Sequence, residues 1–155
     1  MSNPIAILFT YLVCFYILLL TLRLSPWLSA IGAIAFAFSS YNLIILEPGH
    51  ISKAYAIAFM APVVAGILQA YRGKYLTGGI IFLLGLGTQL YYNHLQITYY
   101  LLLLSLIIVL SLGVHAIIEK QLKQFMTASV VLVIAALLAL LPNLSYHWVN
   151  YEISK

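Results

Sequence analysis

The chain has 155 residues, 65% hydrophobic and 6% charged, with seven basic side chains, three acidic ones and a mean hydropathy of +1.09. Soluble domains carry roughly a quarter charged residues, so this chain cannot cover a folded surface with polar groups, and a soluble enzyme, a disordered tail and a nucleic-acid binder are excluded. An integral membrane protein remains, and because a spanning helix takes about 20 apolar residues, the length predicts an all-α bundle of about six spans with no separate soluble domain.

The first apolar run extends from about Pro4 to Leu22 and stops at Arg23. It holds the only cysteine, Cys14, so no disulfide can form within the chain. The residues before it carry no lysine or arginine, unlike the basic start of a secretory signal, so this run is expected to stay in place. After the break at Ser25-Pro26, the second span is predicted from about Trp27 to Leu46. The polar knot Glu47-Pro48-Gly49-His50 follows, and then a third span from about Ala54 to Ala70, with Pro62 expected to kink it. Tyr71-Arg72-Gly73-Lys74 leads into a fourth span from about Tyr75 to Tyr92, and Asn93-His94 into a fifth from about Gln96 to Ile118. The sixth is predicted from about Phe125 to Leu141, ended by Pro142-Asn143. Helix is the default for each, because backbone groups in hydrocarbon must find their partners within the segment. None of the runs shows the alternation of a barrel strand.

Lysine and arginine set the predicted orientation. Connections one, three and five carry Arg23, Arg72, Lys74, Lys120 and Lys123, whereas the even connections and the tail carry only Lys53 and Lys155. The odd connections are therefore expected in the cytoplasm and both termini outside. The outward ends then collect Glu47, His50, Lys53, Asn93, His94 and Gln96, joined by Asn143, His147, Asn150 and Glu152. Any site is expected to face outward.

Small residues point to close helix packing. Ala54, Ala58, Ala61 and Ala65 share one helical face in the third span, and Gly78, Gly79, Gly85 and Gly87 recur in the fourth. Tyr91, Tyr92, Tyr99 and Tyr100 read as an interfacial aromatic belt, with pocket lining as the minor alternative. Ser39-Ser40-Tyr41-Asn42 either extends a pocket inward or serves backbone hydrogen bonds.

Two polar segments carry the chemistry. Glu47 to Lys53 gathers a carboxylate, an imidazole and an ammonium within seven residues, around a Pro-Gly turn. The carboxylate suits a base or cation ligand, His50 a proton carrier, and Lys53 a phosphate. The same loop reads equally as a solvated interfacial turn, where a Glu47–Lys53 pair contributes little. Asn93-His94-Leu95-Gln96 can hydrogen-bond sugar hydroxyls or phosphate oxygens, or can simply turn the chain between two helices. The histidines lack the i, i+4 spacing of a metal site, so no metal ligand set is predicted.

The run from Ser25 to Asn42, followed by Glu47-Pro48-Gly49-His50 and Ser52-Lys53-Ala54, then Arg72-Gly73-Lys74-Tyr75 and Asn93-His94-Leu95-Gln96-Ile97-Thr98-Tyr99-Tyr100, resembles the bacterial YfhO family of membrane proteins over most of residues 12 to 105. The resemblance implies part of a multi-spanning GT-C-type glycosyltransferase in the bacterial cytoplasmic membrane. Such a protein takes a sugar from a polyprenyl-phosphate carrier at the outer face and passes it to a cell-envelope acceptor. It also implies a longer protein around this chain. GT-C enzymes rely on an acidic residue, commonly Asp, in the first outer loop, and this sequence has no Asp. The main catalytic acid is therefore expected in the remainder of the full-length chain, with Glu47 and His50 as secondary catalytic candidates. Lys53, Asn93, His94 and Gln96 are the substrate-binding candidates. No cofactor is expected beyond a divalent cation, which some such enzymes use and others do not. The readings that compete are a transporter or flippase-like protein, suggested by the kinked third and Gly-rich fourth spans, and a non-catalytic membrane subunit.

Overall fold

The computed structural model describes residues 4–46 and 49–153, the last ten of these by their backbone alone. Its regular structure, among the described residues, is entirely helical: α1 (Pro4–Thr21), α2 (Pro26–Ala37), α3 (Ser40–Ile44), α4 (Ile51–Tyr71), α5 (Tyr75–Tyr91), α6 (Leu95–Ile118) and α7 (Leu122–Ile153). Among the described residues, four helices are long and apolar enough to cross a membrane: α1, α4, α6 and the Leu122–Asn143 part of α7. The chain is a multi-pass membrane protein built as an all-α bundle.

The expected six spanning helices are thus corrected to four. The predicted second span is broken. Ser25 caps α2 by accepting a hydrogen bond from the Leu28 amide, and Pro26 occupies the first turn, where its missing N–H costs nothing. The helix ends at Ala37, and Ser39 is extended before α3 begins. Serines compete for backbone partners and favour such helix ends. The buried Asn42 side chain then donates to the Phe36 carbonyl at 2.7 Å, which also accepts from the Ser39 amide at 3.2 Å. The predicted fourth span, α5, has 17 residues. At 1.5 Å per residue that is roughly 25 Å, short of the approximately 30 Å hydrocarbon thickness. The predicted end at Pro142 is also corrected, because α7 continues through Pro142 to Ile153. Asn143 donates from its side chain to the Ala139 carbonyl of its own helix and to the Gly87 carbonyl of α5, bracing the turn around the proline.

α4 is the hub. Of its most apolar stretch 56% is buried, against 11% for α6, whose Ile107, Leu110, Val114 and Ile117 face outward. It belongs to both apolar cores, one with α1 and the α2–α3 segment, the other with α5, α6 and α7. The alanine face predicted for this helix is buried throughout. Lipid is as apolar as leucine, so helix association rests on close packing, and α4 and α5 pack to backbone contact. A Cβ built on Gly66 would lie 2.5 Å from the Phe82 nitrogen, and one on Gly78 would lie 2.4 Å from the Ala70 nitrogen.

Cross-links between helix ends define two ends of the bundle. At one, Gln69 donates to the Thr21 hydroxyl, Arg72 to the Thr21 carbonyl, and Gln124 to the Tyr71 carbonyl. Connections one, three and five therefore meet there, as their charges predict, and this is the basic end. At the other, Ile7 and Ile45 share a core with Ala54, and Tyr55 stacks on Tyr92. This is the tyrosine end.

Candidate functional site

At the tyrosine end the two polar segments of the sequence come onto one side of the bundle. Glu47 lies outside the described residues. The turn after it depends on Gly49, whose φ of +78° is cheap only for glycine. The Ile51 amide then donates back to the Gly49 carbonyl at 2.8 Å, with His50 at φ −73° and ψ 58° between them. These are the angles of an inverse γ-turn. His50 is exposed just before α4, and its side chain makes no capping bond. Lys53, read from the sequence as part of the loop, stands in the first turn of α4, half-buried, with its ammonium 5.5 Å from the centre of the Tyr41 ring. That separation is within cation–π range.

The second segment is tighter. Asn93 has a φ of +47°, the left-handed conformation that ends a helix and that asparagine tolerates better than most residues. Its amide donates to the Leu90 carbonyl at 3.0 Å. His94 precedes α6, and Gln96, placed in the first turn of that helix, is exposed and donates to the Tyr100 hydroxyl at 3.1 Å. The Asn93 and His94 residues are half-buried, and the Oδ1 of one and Nδ1 of the other are shielded from solvent with no hydrogen-bond partner. An unmet buried polar atom costs roughly 1–3 kcal/mol, and the Tyr11 and Ser29 hydroxyls share this condition elsewhere in the bundle.

Aromatic side chains tie the two segments together. Tyr92 stacks on Tyr55 at 4.5 Å and lies 6.2 Å from the Phe59 ring, both on α4. Burial, and beside it the Tyr55 and Tyr91 hydroxyls, raise the Tyr92 phenol above its ordinary pKa. Tyr91, Tyr99 and Tyr100 are exposed, as belt residues should be, while Tyr92 is turned inward. Below Asn93 and His94, Thr98 donates to the His94 carbonyl and is paired with the fully buried Gln89 of α5. Leu90 and Thr98 also wall an apolar cavity of about 540 Å³ that runs between α4, α5, α6 and α7 past Phe82, Leu101 and Leu132.

Sequence reasoning missed Tyr41 as a partner of Lys53, Tyr55, Gln89 and the cavity itself. It also missed Tyr11, buried completely with its hydroxyl unpartnered. A tyrosine inside an apolar run was the only signal for Tyr11, and nothing in a run of leucines signals an empty space. Ser39 to Asn42 proves to serve the backbone through Asn42. The side chains of His147, Asn150 and Glu152 lie outside the described residues. Among the described residues, no group of three histidine, cysteine or acidic side chains is placed to hold a metal ion.

No protein-family model, curated protein or solved structure matches the chain. The residues and their geometry carry the functional argument.

Proposed function

We propose that this chain forms the lipid-carrier-binding region of a GT-C-type glycosyltransferase of the YfhO kind, acting at the extracytoplasmic face of a bacterial cytoplasmic membrane. The observation that carries the reading is the pair of unpartnered polar atoms on Asn93 and His94, set above the apolar cavity between α4 and α7. An amphipathic ligand with a polar head and a long hydrocarbon tail suits that combination. A sugar linked to a polyprenyl phosphate is such a ligand. In this reading the Asn93 and His94 side chains hydrogen-bond the sugar, the tail occupies the cavity, and Lys53 faces the carrier phosphate. A general base takes the proton of an acceptor hydroxyl as its oxygen attacks the anomeric carbon. The bond from that carbon to the carrier phosphate breaks, and the phosphate leaves on its lipid. Glu47 and His50 are the candidates in this chain to assist that base, with the main acid elsewhere in the full-length protein.

The test uses the full-length protein and a defined polyprenyl-phosphate sugar. Asn93→Ala and His94→Ala are each expected to raise the donor KM about tenfold, the worth of one hydrogen bond to a buried polar group. Unchanged sugar transfer in the triple variant His50→Ala, Lys53→Ala, His94→Ala would sink the site assignment.

One observation favours the transporter reading: the pass from Pro26 to Ile44 is a discontinuous helix, a common device of transport sites. The Phe36 carbonyl at the break already accepts from the Ser39 amide and the Asn42 side chain, which leaves less there for a substrate. Ion-gradient-dependent uptake into vesicles, without sugar transfer, would reverse the preference.

A further inference from the structure

The basic end holds a second cavity, about 280 Å³ in volume, remote from the tyrosine-end site. Arg23 from the first connection and Arg72 and Lys74 from the third line it, with Thr21 and Gln69. No carboxylate is among its walls. All three side chains are exposed, so water and salt soften the repulsion between their like charges without removing it. An anion in the cavity removes that repulsion.

The wall is set in place before any ligand arrives. The Arg72 guanidinium donates to the Thr21 carbonyl, and Gln69 donates to the Thr21 hydroxyl at 3.1 Å, so α1 and α4 are tied together beneath the cavity. The backbone at Arg23 is equally telling. Its φ is +65°, and the Leu24 amide donates to the Leu19 carbonyl at 3.3 Å, which is the Schellman ending of a helix. The third connection closes in the same way, with Lys74 donating to Gln69, and there glycine holds the left-handed position at Gly73. At the first connection an arginine occupies that position against the steric preference of L-residues. Lys120 holds the same position at the fifth connection, with φ +57° and the Gln121 amide donating to the Ala116 carbonyl at 2.8 Å, so a basic residue closes both turns.

We propose that this cavity binds a phosphate-bearing anion, with the guanidinium groups of Arg23 and Arg72 and the ammonium of Lys74 on the phosphate oxygens. Guanidinium and ammonium groups match phosphate oxygens by charge-assisted hydrogen bonds. A water takes roughly 30 Å³, so the cavity has room for a phosphate with a small polar substituent. Basic pockets between membrane helices are a known setting for anionic lipid head groups, and a soluble phosphate presents the same chemistry. This proposal does not rest on the glycosyltransferase reading.

The experiment titrates the full chain, in a neutral maltoside detergent, with short-chain phosphatidylglycerol, short-chain phosphatidylcholine and inorganic phosphate, read by native mass spectrometry. The double variant Arg23→Gly, Lys74→Gln removes two cations, and the glycine suits the left-handed turn, so helicity by circular dichroism is expected to be unchanged. Lys123→Gln removes one exposed charge outside the cavity as the control. Phosphatidylglycerol is expected to bind at least about tenfold more tightly than phosphatidylcholine, and the double variant to lose about tenfold per cation removed. Binding by inorganic phosphate alone, with the same loss in the double variant, would support the site and assign it to a soluble anion. Equal binding of the two lipids with no phosphate binding would overturn the proposal. So would a loss in Lys123→Gln as large as in the double variant, because net charge and not the cavity would then govern binding.

Discussion

Gly78 and Gly87 stand on the same helix, and a methyl group at each would meet different surroundings. At Gly78 the added carbon would press into the α4 backbone, 2.4 Å from the Ala70 nitrogen and 2.8 Å from the Gly66 carbonyl oxygen. Backbone cannot rotate aside. At Gly87 the nearest atom is 3.9 Å away. Gly78→Ala is therefore expected to destabilise the bundle by about 2–3 kcal/mol, in the upper part of the range for overpacking. Gly87→Ala is expected to be neutral or to stabilise by up to ~1 kcal/mol, since alanine favours the helix. Unfolding in mixed micelles of SDS and a mild detergent measures both, and equal effects would refute the close approach of α4 and α5. The sequence alone lists these glycines as equivalent. Which of them matters depends on the neighbour each one faces, and residue spacing along one helix does not contain that. The candidate site divides similarly. Lys53, Asn93 and His94 are legible as polar residues between apolar runs. Tyr55, which joins their two segments by stacking on Tyr92, looks like one more interfacial tyrosine until the fold places it.

Among the elements, the four long helices follow from run length and lack of charge, and all but α7, which runs on to Ile153, begin and end within a few residues of where hydropathy puts them. The misjudged elements are those whose ends are set by local hydrogen bonding. The polar stretch from Ser39 to Asn42 interrupts an otherwise apolar run, and α7 continues past a proline where Asn143 braces the turn against α5. Polar side chains inside the bundle are thus structural ties. Gln89 and Thr98 form one such tie between α5 and α6, at 3.0 Å. A double-mutant cycle with Gln89→Leu and Thr98→Val is expected to give a coupling near 0.6 kcal/mol and no more than about 1.7, the span found for hydrogen bonds between membrane helices. A coupling of zero would mean that the two side chains do not meet, and would remove the floor proposed beneath Asn93 and His94.

For the whole molecule, the arrangement of ends makes a prediction that helix counting does not. Thr21 touches Gln69 and Arg72 at the basic end, while Ile45 packs with Ile7 and Ala54 at the tyrosine end. The chain between them must travel from one end to the other although neither α2 nor α3 is long enough alone. Leu24→Cys and Ser52→Cys, each made in a Cys14→Ala background, are accordingly expected to react with a membrane-impermeant maleimide from opposite sides. Both positions are exposed, whereas Cys14 is buried. Labelling of both from one side would make α2 and α3 a re-entrant hairpin and would undo the shared placement of the tyrosine-end segments. Labelling of Leu24→Cys from the outside, with Ser52→Cys inside, would reverse the expected orientation.

Composition by itself determined that this is a membrane protein, because 6% charged residues cannot cover a soluble surface. Run length determined the helices, and the placement of lysine and arginine determined which connections share an end. These properties are local or additive, so one sequence contains them. The tertiary structure alone decided that Arg23, Arg72 and Lys74 line one cavity, and that Asn93 and His94 present unpartnered atoms above another. Each of these depends on distances between residues far apart in the chain. Helix packing sets such distances, and in a bilayer that packing is governed by where backbones can touch.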